Sequence, residues 1–238
     1  MRDKRNNFVF SIAGAHGVGK TTVFKYLQDA FGNDEKFKFY PERYIVKNPT
    51  YPLGSINKQI AFRGEIFFLQ QLLKRNTKIL RYLSKNRDKI IVMDRTPICV
   101  LVYSKALEMA PKDYKLILDL FKSIDWIPEF IFYLTADPTT IMKRIVMRGH
   151  ISFETNEQAE KQRKKWHERD KDYLLKVLNY YNEFLLSNSK TNKNLTIIQT
   201  DNLSPRKTAD KIEKIIFNSI SNKKQIEQDS HLDLTKFL

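Results

Sequence analysis

Gly14, Ala15, His16, Gly17, Val18, Gly19, Lys20 and Thr21 fit the spacing G-x-x-x-x-G-K-[ST] at every fixed position. The chemistry that this spacing serves is the capture of a polyphosphate. Glycines let the backbone close so that successive N–H groups face phosphate oxygens, the lysine neutralises their charge, and the hydroxyl at the eighth position can ligate Mg²⁺. Three of the chain's seven glycines fall in these eight residues. Residues 14–21, with Thr22 after them, are therefore the candidate contacts to a nucleotide such as ATP, and Thr21 is also a candidate metal ligand. His16 reads either as a plain loop residue or as a contact to a phosphate or to the acceptor.

Such a loop works only between a strand and a helix. Residues 8–13 form a short apolar run that reads as a buried strand, and residues 21–31 repeat Val23, Phe24, Leu27 and Phe31 at helical spacing before stopping at Gly32, a C-cap residue. Residues 36–40 alternate charged and aromatic side chains as a second strand, followed by Glu42. Residues 47–54 read as a loop. A long helix over residues 56–85 presents Ile60, Phe67, Leu72, Ile79 and Leu83 to a core, and residues 89–93 are a buried strand ending in Asp94 and Arg95. Residues 99–109 and 113–123 are two helices separated by Pro111, and 130–134 is a further strand. Asp137 and Pro138 start a helix running to Met147, interrupted by a basic polar stretch, 148–156, that contains Gly149. A helix resumes through Leu186, residues 195–199 are the last strand, and Ser204 with Pro205 opens a final helix to Ile220.

This alternation predicts an α/β fold in three layers, a central parallel sheet of about five strands with helices on both faces and ligands at the carboxyl ends of the strands. The rule brings residues 14–21, Glu42, Asp94, Arg95 and residues 135–137 to one edge of the sheet. With 238 residues the chain suits one such domain, residues 1–221, and a polar tail, 222–238. Cys99 is its single cysteine, so no intramolecular disulfide can form, no run approaches the ~18 apolar residues of a membrane span, and no signal-peptide cleavage pattern follows the N-terminus. The expected compartment is the cytosol. A net charge of +15 suits either polyanionic nucleic acid or a pocket for several phosphates. The densest basic segment, Lys161, Arg163, Lys164 and Lys165, reads first as a solvated helix face, then as a lid over phosphates, and last as a nucleic-acid contact.

Over residues 8–220 the chain resembles the thymidylate kinases and their relatives the deoxynucleoside kinases. Asp94, Arg95, Thr96, Pro97, Ile98 and Cys99 leading to Tyr103 resemble the thymidylate kinase Asp-Arg pair with its later tyrosine. Pro128 and Glu129, the strand, and Asp137 with Pro138 follow the same pattern. Lys143, Arg144, Arg148 and Gly149, then Phe153 and Glu154, resemble its arginine-rich lid, spanning about 144–157, and residues 201–204 its adenine loop. The resemblance implies a P-loop kinase fold in which Lys20, Arg95, Arg144 and Arg148 stabilise the transferring phosphoryl, Arg144 also contacting ATP, and Mg²⁺ rides with ATP on Thr21 and Asp94. The sequence departs from the thymidylate kinases at His16 and Gly17, where they carry an acid and often an arginine, and at residues 40–43, where they have Arg-Glu-Pro-Gly.

Deoxynucleoside kinases supply a competing pattern, a glutamate after the second strand and a base-reading glutamine on the next helix, matched by Glu42 and by Gln70 or Gln71 after Phe67 and Phe68. A hydroxyl acceptor benefits from a general base, whereas a phosphate acceptor is already anionic. Glu42 is then a base, a salt-bridge partner of Arg43, or a sugar contact. Lys74 and Arg75 could meet an acceptor phosphate instead, Phe62, Phe68 and Tyr103 could stack on a base or simply pack, and Asp94 could hold Mg²⁺ through water, contact the acceptor or anchor Arg95. The first expectation is phosphoryl transfer from ATP to dTMP. The second is a deoxynucleoside kinase with Glu42 as base, and the third a nucleotide-binding regulatory or nucleic-acid-associated protein with little catalysis. The resemblance further implies a homodimer without membrane or nucleic-acid partners.

Overall fold

Alternating apolar residues on β-strands decide which helices each sheet face can hold. The computed structural model describes residues 7–42, 55, 57–127, 129–151, 167, 169–187 and 194–221, the side chains of 148–151 excepted. Its strands are β1 (Phe8–Ala13), β2 (Phe37–Tyr40), β3 (Ile90–Asp94), β4 (Phe130–Thr135) and β5 (Leu195–Gln199). All pair in parallel, in the order β2-β3-β1-β4-β5. Seven helices connect and follow them among the described residues: α1 (Lys20–Phe31), α2 (Lys58–Lys85), α3 (Cys99–Ala106), α4 (Pro111–Lys122), α5 (Pro138–Ile151), α6 (Lys171–Leu186) and α7 (Pro205–Ser221).

One face of the sheet is a run of phenylalanines. Phe8 and Phe10 of β1 meet Phe130 and Phe132 of β4, and Phe37 and Phe39 of β2 meet Phe31 and Phe24 of α1 and Phe217 of α7. Helices α1 and α7 pack together there. The opposite face offers Val9, Ile91 and Met93 to Ile79 of α2, and Tyr133 stacks on Tyr181 of α6. Helices thus cover both faces, as the strand pattern requires.

Several boundaries differ from the sequence expectation. Gly32 closes α1 in a right-handed conformation (φ −63°), its N–H donating to Gln28 O, so it is not a left-handed cap. Pro111 is the first residue of α4 rather than a spacer before it, since its missing N–H costs nothing at that position. Helix α5 runs through Arg148 and Gly149 to Ile151 instead of stopping at Met147. Side-chain oxygens of Asn57 and Asp170 accept backbone N–H groups at the starts of α2 and α6. The expected loop 47–54, the basic segment 161–165, most of the lid and the tail 222–238 lie outside the described residues.

The phosphate loop is set by close approach. Gly14 (φ +140°) lies so near β4 that a Cβ there would come 2.3 Å from Leu134 O, whereas Gly19 (φ +106°), the N-cap of α1, has open space around it. Gly19→Ala should therefore cost about 1–2 kcal/mol, from backbone conformation alone. Gly14→Ala carries the collision in addition and should cost more, with urea unfolding of the two variants giving the comparison.

Candidate active site

At the carboxyl ends of β1 and β3 the chain gathers six ionisable side chains. The Lys20 ammonium, buried, donates to Ala15 O at 2.8 Å within its own loop. Burial, with the Arg95 cation adding, pulls Lys20 down to about 7 against the attraction of Asp94 and Glu42. Thr21 Oγ1 donates to Asp94 Oδ2 at 2.8 Å, which ties α1 to the end of β3. Burial and the Glu42 carboxylate raise Asp94, opposed by Lys20, Arg95 and the Thr21 bond.

Arg95 stands at a left-handed turn (φ 74°) and forms an ion pair with Glu42, Nε to Oε1 at 2.8 Å. Its guanidinium lies 5.3 Å from the centroid of the Tyr103 ring. Although burial disfavours its charge, the Glu42 carboxylate beside it keeps Arg95 well above its ordinary range. His16 is buried against aromatic rings, 5.8 Å from Tyr173 and 6.3 Å from Tyr103 between centroids.

Helix α2 contributes differently from the sequence reading. Its buried stripe holds Ala61, Gly64, Glu65, Phe68, Leu69, Leu72, Arg75, Asn76 and Ile79, so Leu72 and Ile79 face the core while Ile60, Phe67 and Leu83 are half-buried. Gln70 is exposed on the outer face; Gln71 is half-buried, and its Oε1 has no hydrogen-bond partner among the described residues. Arg75 cannot serve as a hand for an acceptor phosphate, because its guanidinium donates to Asp94 O at 2.9 Å and Arg95 O at 2.8 Å and is buried there. Lys74 is exposed.

Glu65 is the polar residue that the sequence reading missed. It is 2% exposed, and its Oε2 lacks a hydrogen-bond partner among the described residues, as do the hydroxyls of Tyr173 and Tyr181 on α6. The available signal was helical phase: Glu65 lies three residues before Phe68 and seven before Leu72, an acid on the apolar stripe.

On the other flank, Arg144 donates to Val18 O (3.3 Å), Thr200 Oγ1 (2.9 Å) and Thr200 O (2.6 Å), linking α5 to the phosphate loop and the end of β5 rather than reaching into open space as a phosphate hand. The Asp137 N–H donates to Asp201 Oδ1 at 2.8 Å, so the two expected nucleotide-flanking segments meet. Arg148 lies on the last turn of α5, its side chain outside the described residues, as are Arg43, Phe153 and Glu154.

Thr21 and Asp94 fit a hard divalent cation: they share a hydrogen bond, and Asp94 Oδ1 is buried without a hydrogen-bond partner among the described residues. No cluster of three metal-binding side chains exists among the described residues, so nucleotide oxygens and water would have to complete the shell. None of the described helices is long and apolar enough to cross a membrane.

Residues 12–202 match the family model described as thymidylate kinase. The chain belongs to the thymidylate kinase family. Family and fold make it a phosphotransferase acting on a nucleotide or nucleoside. The fold is similar to solved structures of deoxyadenosine kinase from M. mycoides. The structure with products dCMP and a flexible dCDP has a TM-score of 0.62 at 18% identity and covers 89% of this chain and 100% of that one. The structure with bound dATP gives 0.61, 17%, 88% and 99%, and that with bound dCTP gives 0.59, 18%, 89% and 100%. No curated protein matches the sequence.

Burial pushes Glu65 up to about 8, the Glu42 carboxylate adding and Arg95 opposing. Between its ordinary 4.5 and 8 the folded protein keeps a proton at Glu65 that the unfolded chain has released. Stability from this group therefore falls as pH rises through that interval. Glu65→Gln, which has no proton to lose, should gain on the wild type in urea unfolding as pH goes from 5 to 8.5. A constant difference between the two would refute the assignment.

Proposed function

We propose that this protein is a deoxynucleoside kinase that transfers the γ-phosphoryl of ATP to the 5′-hydroxyl of a deoxynucleoside, with Glu42 as general base. The observation that carries this reading is the Glu42–Arg95 pair at 2.8 Å, beside Lys20 and Asp94. A hydroxyl must lose a proton as its oxygen attacks, whereas a monophosphate acceptor needs no base. The engagement of Arg75 by two carbonyls supports the same reading, since it withdraws a cation that an acceptor phosphate would use. The similar solved structures are of a deoxyadenosine kinase, which agrees.

In the proposed reaction the acceptor O5′ attacks the γ-phosphorus while Glu42 takes its proton. The bond from that phosphorus to the bridging oxygen breaks, releasing ADP and the nucleoside 5′-monophosphate. Lys20 gives up its loop carbonyl for phosphate oxygens and Arg95 neutralises charge on the transferring group. Thr21 and Asp94 would hold Mg²⁺, which when bound would supply further neutralisation of phosphate charge. Glu65 and Tyr173 offer unspent polar atoms to the acceptor, against Phe68 and Tyr103.

Transfer to a nucleoside monophosphate, dTMP first, is the second reading, favoured by the family match. A product assay with Mg·ATP decides between them, offering thymidine, deoxycytidine, deoxyadenosine, dTMP, dUMP, dCMP and dAMP. Monophosphates should form from nucleosides, and Glu42→Gln should lower kcat by about 10²–10⁴-fold while ATP binding persists. Diphosphates formed from monophosphates, with Glu42→Gln still active, would establish the second reading instead.

We also infer a homodimer. Helices α2 and α4 pack together, and each keeps two leucines exposed, Leu73 with Leu80 and Leu116 with Leu120. Sedimentation should give a dimer that Leu80→Glu with Leu116→Glu converts to a folded monomer; a wild-type monomer would refute this.

A further inference from the structure

Helix α2 drives an arginine into the protein interior at a place where the sequence suggested a ligand contact. Arg75 is 2% exposed, and both terminal nitrogens are committed, Nη1 to Asp94 O and Nη2 to Arg95 O. Those are consecutive carbonyls of one turn. Arg95 in that turn has φ 74°, a region that side-chain-bearing residues avoid. Its N–H donates to Ile12 O at 3.1 Å, and the next residue, Thr96, donates its hydroxyl to the fully buried carboxyl of Glu129. Three successive residues are thus fixed from α2, β1 and the start of β4.

We propose that Arg75 is a positioning residue whose planar fork holds the Asp94-Arg95 turn, so that Asp94 faces Thr21 and the Mg²⁺ site while Arg95 faces Glu42. A buried guanidinium is costly to desolvate, and two neutral carbonyls would not by themselves justify it. Glu129 and Asp94 lie near enough to offset part of that cost. A fork is the shape that fits, because Nη1 and Nη2 reach the two carbonyls from two nitrogens at a fixed planar separation, whereas the donors of a lysine all radiate from one freely rotating nitrogen. Without that hold the turn could relax toward negative φ and swing both site carboxylate and guanidinium. The inference rests on phosphoryl transfer at this site and not on which acceptor is used.

The test uses Arg75→Lys, which keeps the charge, and Arg75→Ala, which leaves a guanidinium-sized space. Calorimetry reads binding of Mg·ATP against binding of ADP without Mg²⁺, and steady-state assays separate kcat from the acceptor KM. In Arg75→Lys we expect Mg·ATP binding weakened about tenfold and kcat lowered up to ~100-fold, with metal-free ADP binding and acceptor KM unchanged. In Arg75→Ala, millimolar guanidinium should restore Mg·ATP binding, and it should have no such effect on Arg75→Lys. A rise in acceptor KM alone would make Arg75 an acceptor contact and overturn the proposal. Unchanged kcat and Mg·ATP binding in Arg75→Lys would overturn it too, reducing the residue to a buried cation. If Arg75→Ala fails to fold, Arg75→Lys decides. The calorimetric arm needs no acceptor, so its outcome stands apart from that of the deoxynucleoside kinase reading.

Discussion

Three cations and three carboxyl groups share one buried volume at the ends of β1 and β3, and much of the architecture serves to keep them there. Burial is the leading influence on the protonation of Lys20, Asp94, Glu65, Arg75 and Arg95, and in each case it acts against charge. Each group stays ionised only to the extent that its neighbours offset that cost. Arg95 is held charged by Glu42, whereas Glu65, with a second carboxylate nearby, is pushed toward its neutral form.

This balance bears most directly on the phosphate loop. Burial pulls Lys20 down to about 7, while its Nζ donates to Ala15 O. The arrival of triphosphate oxygens would reverse the balance, because anions at the loop favour the ammonium that burial disfavours. A loop whose backbone donors and lysine already stand at one place spends little reorganisation when it binds phosphate.

The connections that hold these groups run across elements distant in sequence. The Thr21–Asp94 bond joins α1 to β3, the Glu42–Arg95 pair joins the segment after β2 to the same turn, and Arg144 joins α5 to both the phosphate loop and the end of β5. His16, which the sequence left between a plain loop residue and a contact to phosphate or acceptor, packs against two tyrosines, one on α3 and one on α6. Shifting α6 would therefore be felt in the phosphate loop, through a ring contact rather than through charge.

The sequence by itself determined the phosphate loop, the five strands and their parallel order of α/β alternation, because these follow from local spacing: glycines at fixed offsets and apolar runs bounded by turn residues. It also placed Glu42, Asp94 and Arg95 at one edge, since residues just beyond parallel strands must collect there. What it could not decide was the use of α2. Periodicity ranks apolar residues, so Gln70 looked available to a base, Arg75 looked available to an acceptor phosphate and Glu65 drew no notice, yet Gln70 faces solvent while Glu65 and Arg75 are buried. The fate of Arg75 hinged on two carbonyls brought beneath it only when β3 and α2 pack, and that of Arg144 on the end of β5. A long cationic side chain has many possible partners along a sequence, and only tertiary packing decides which oxygen it reaches.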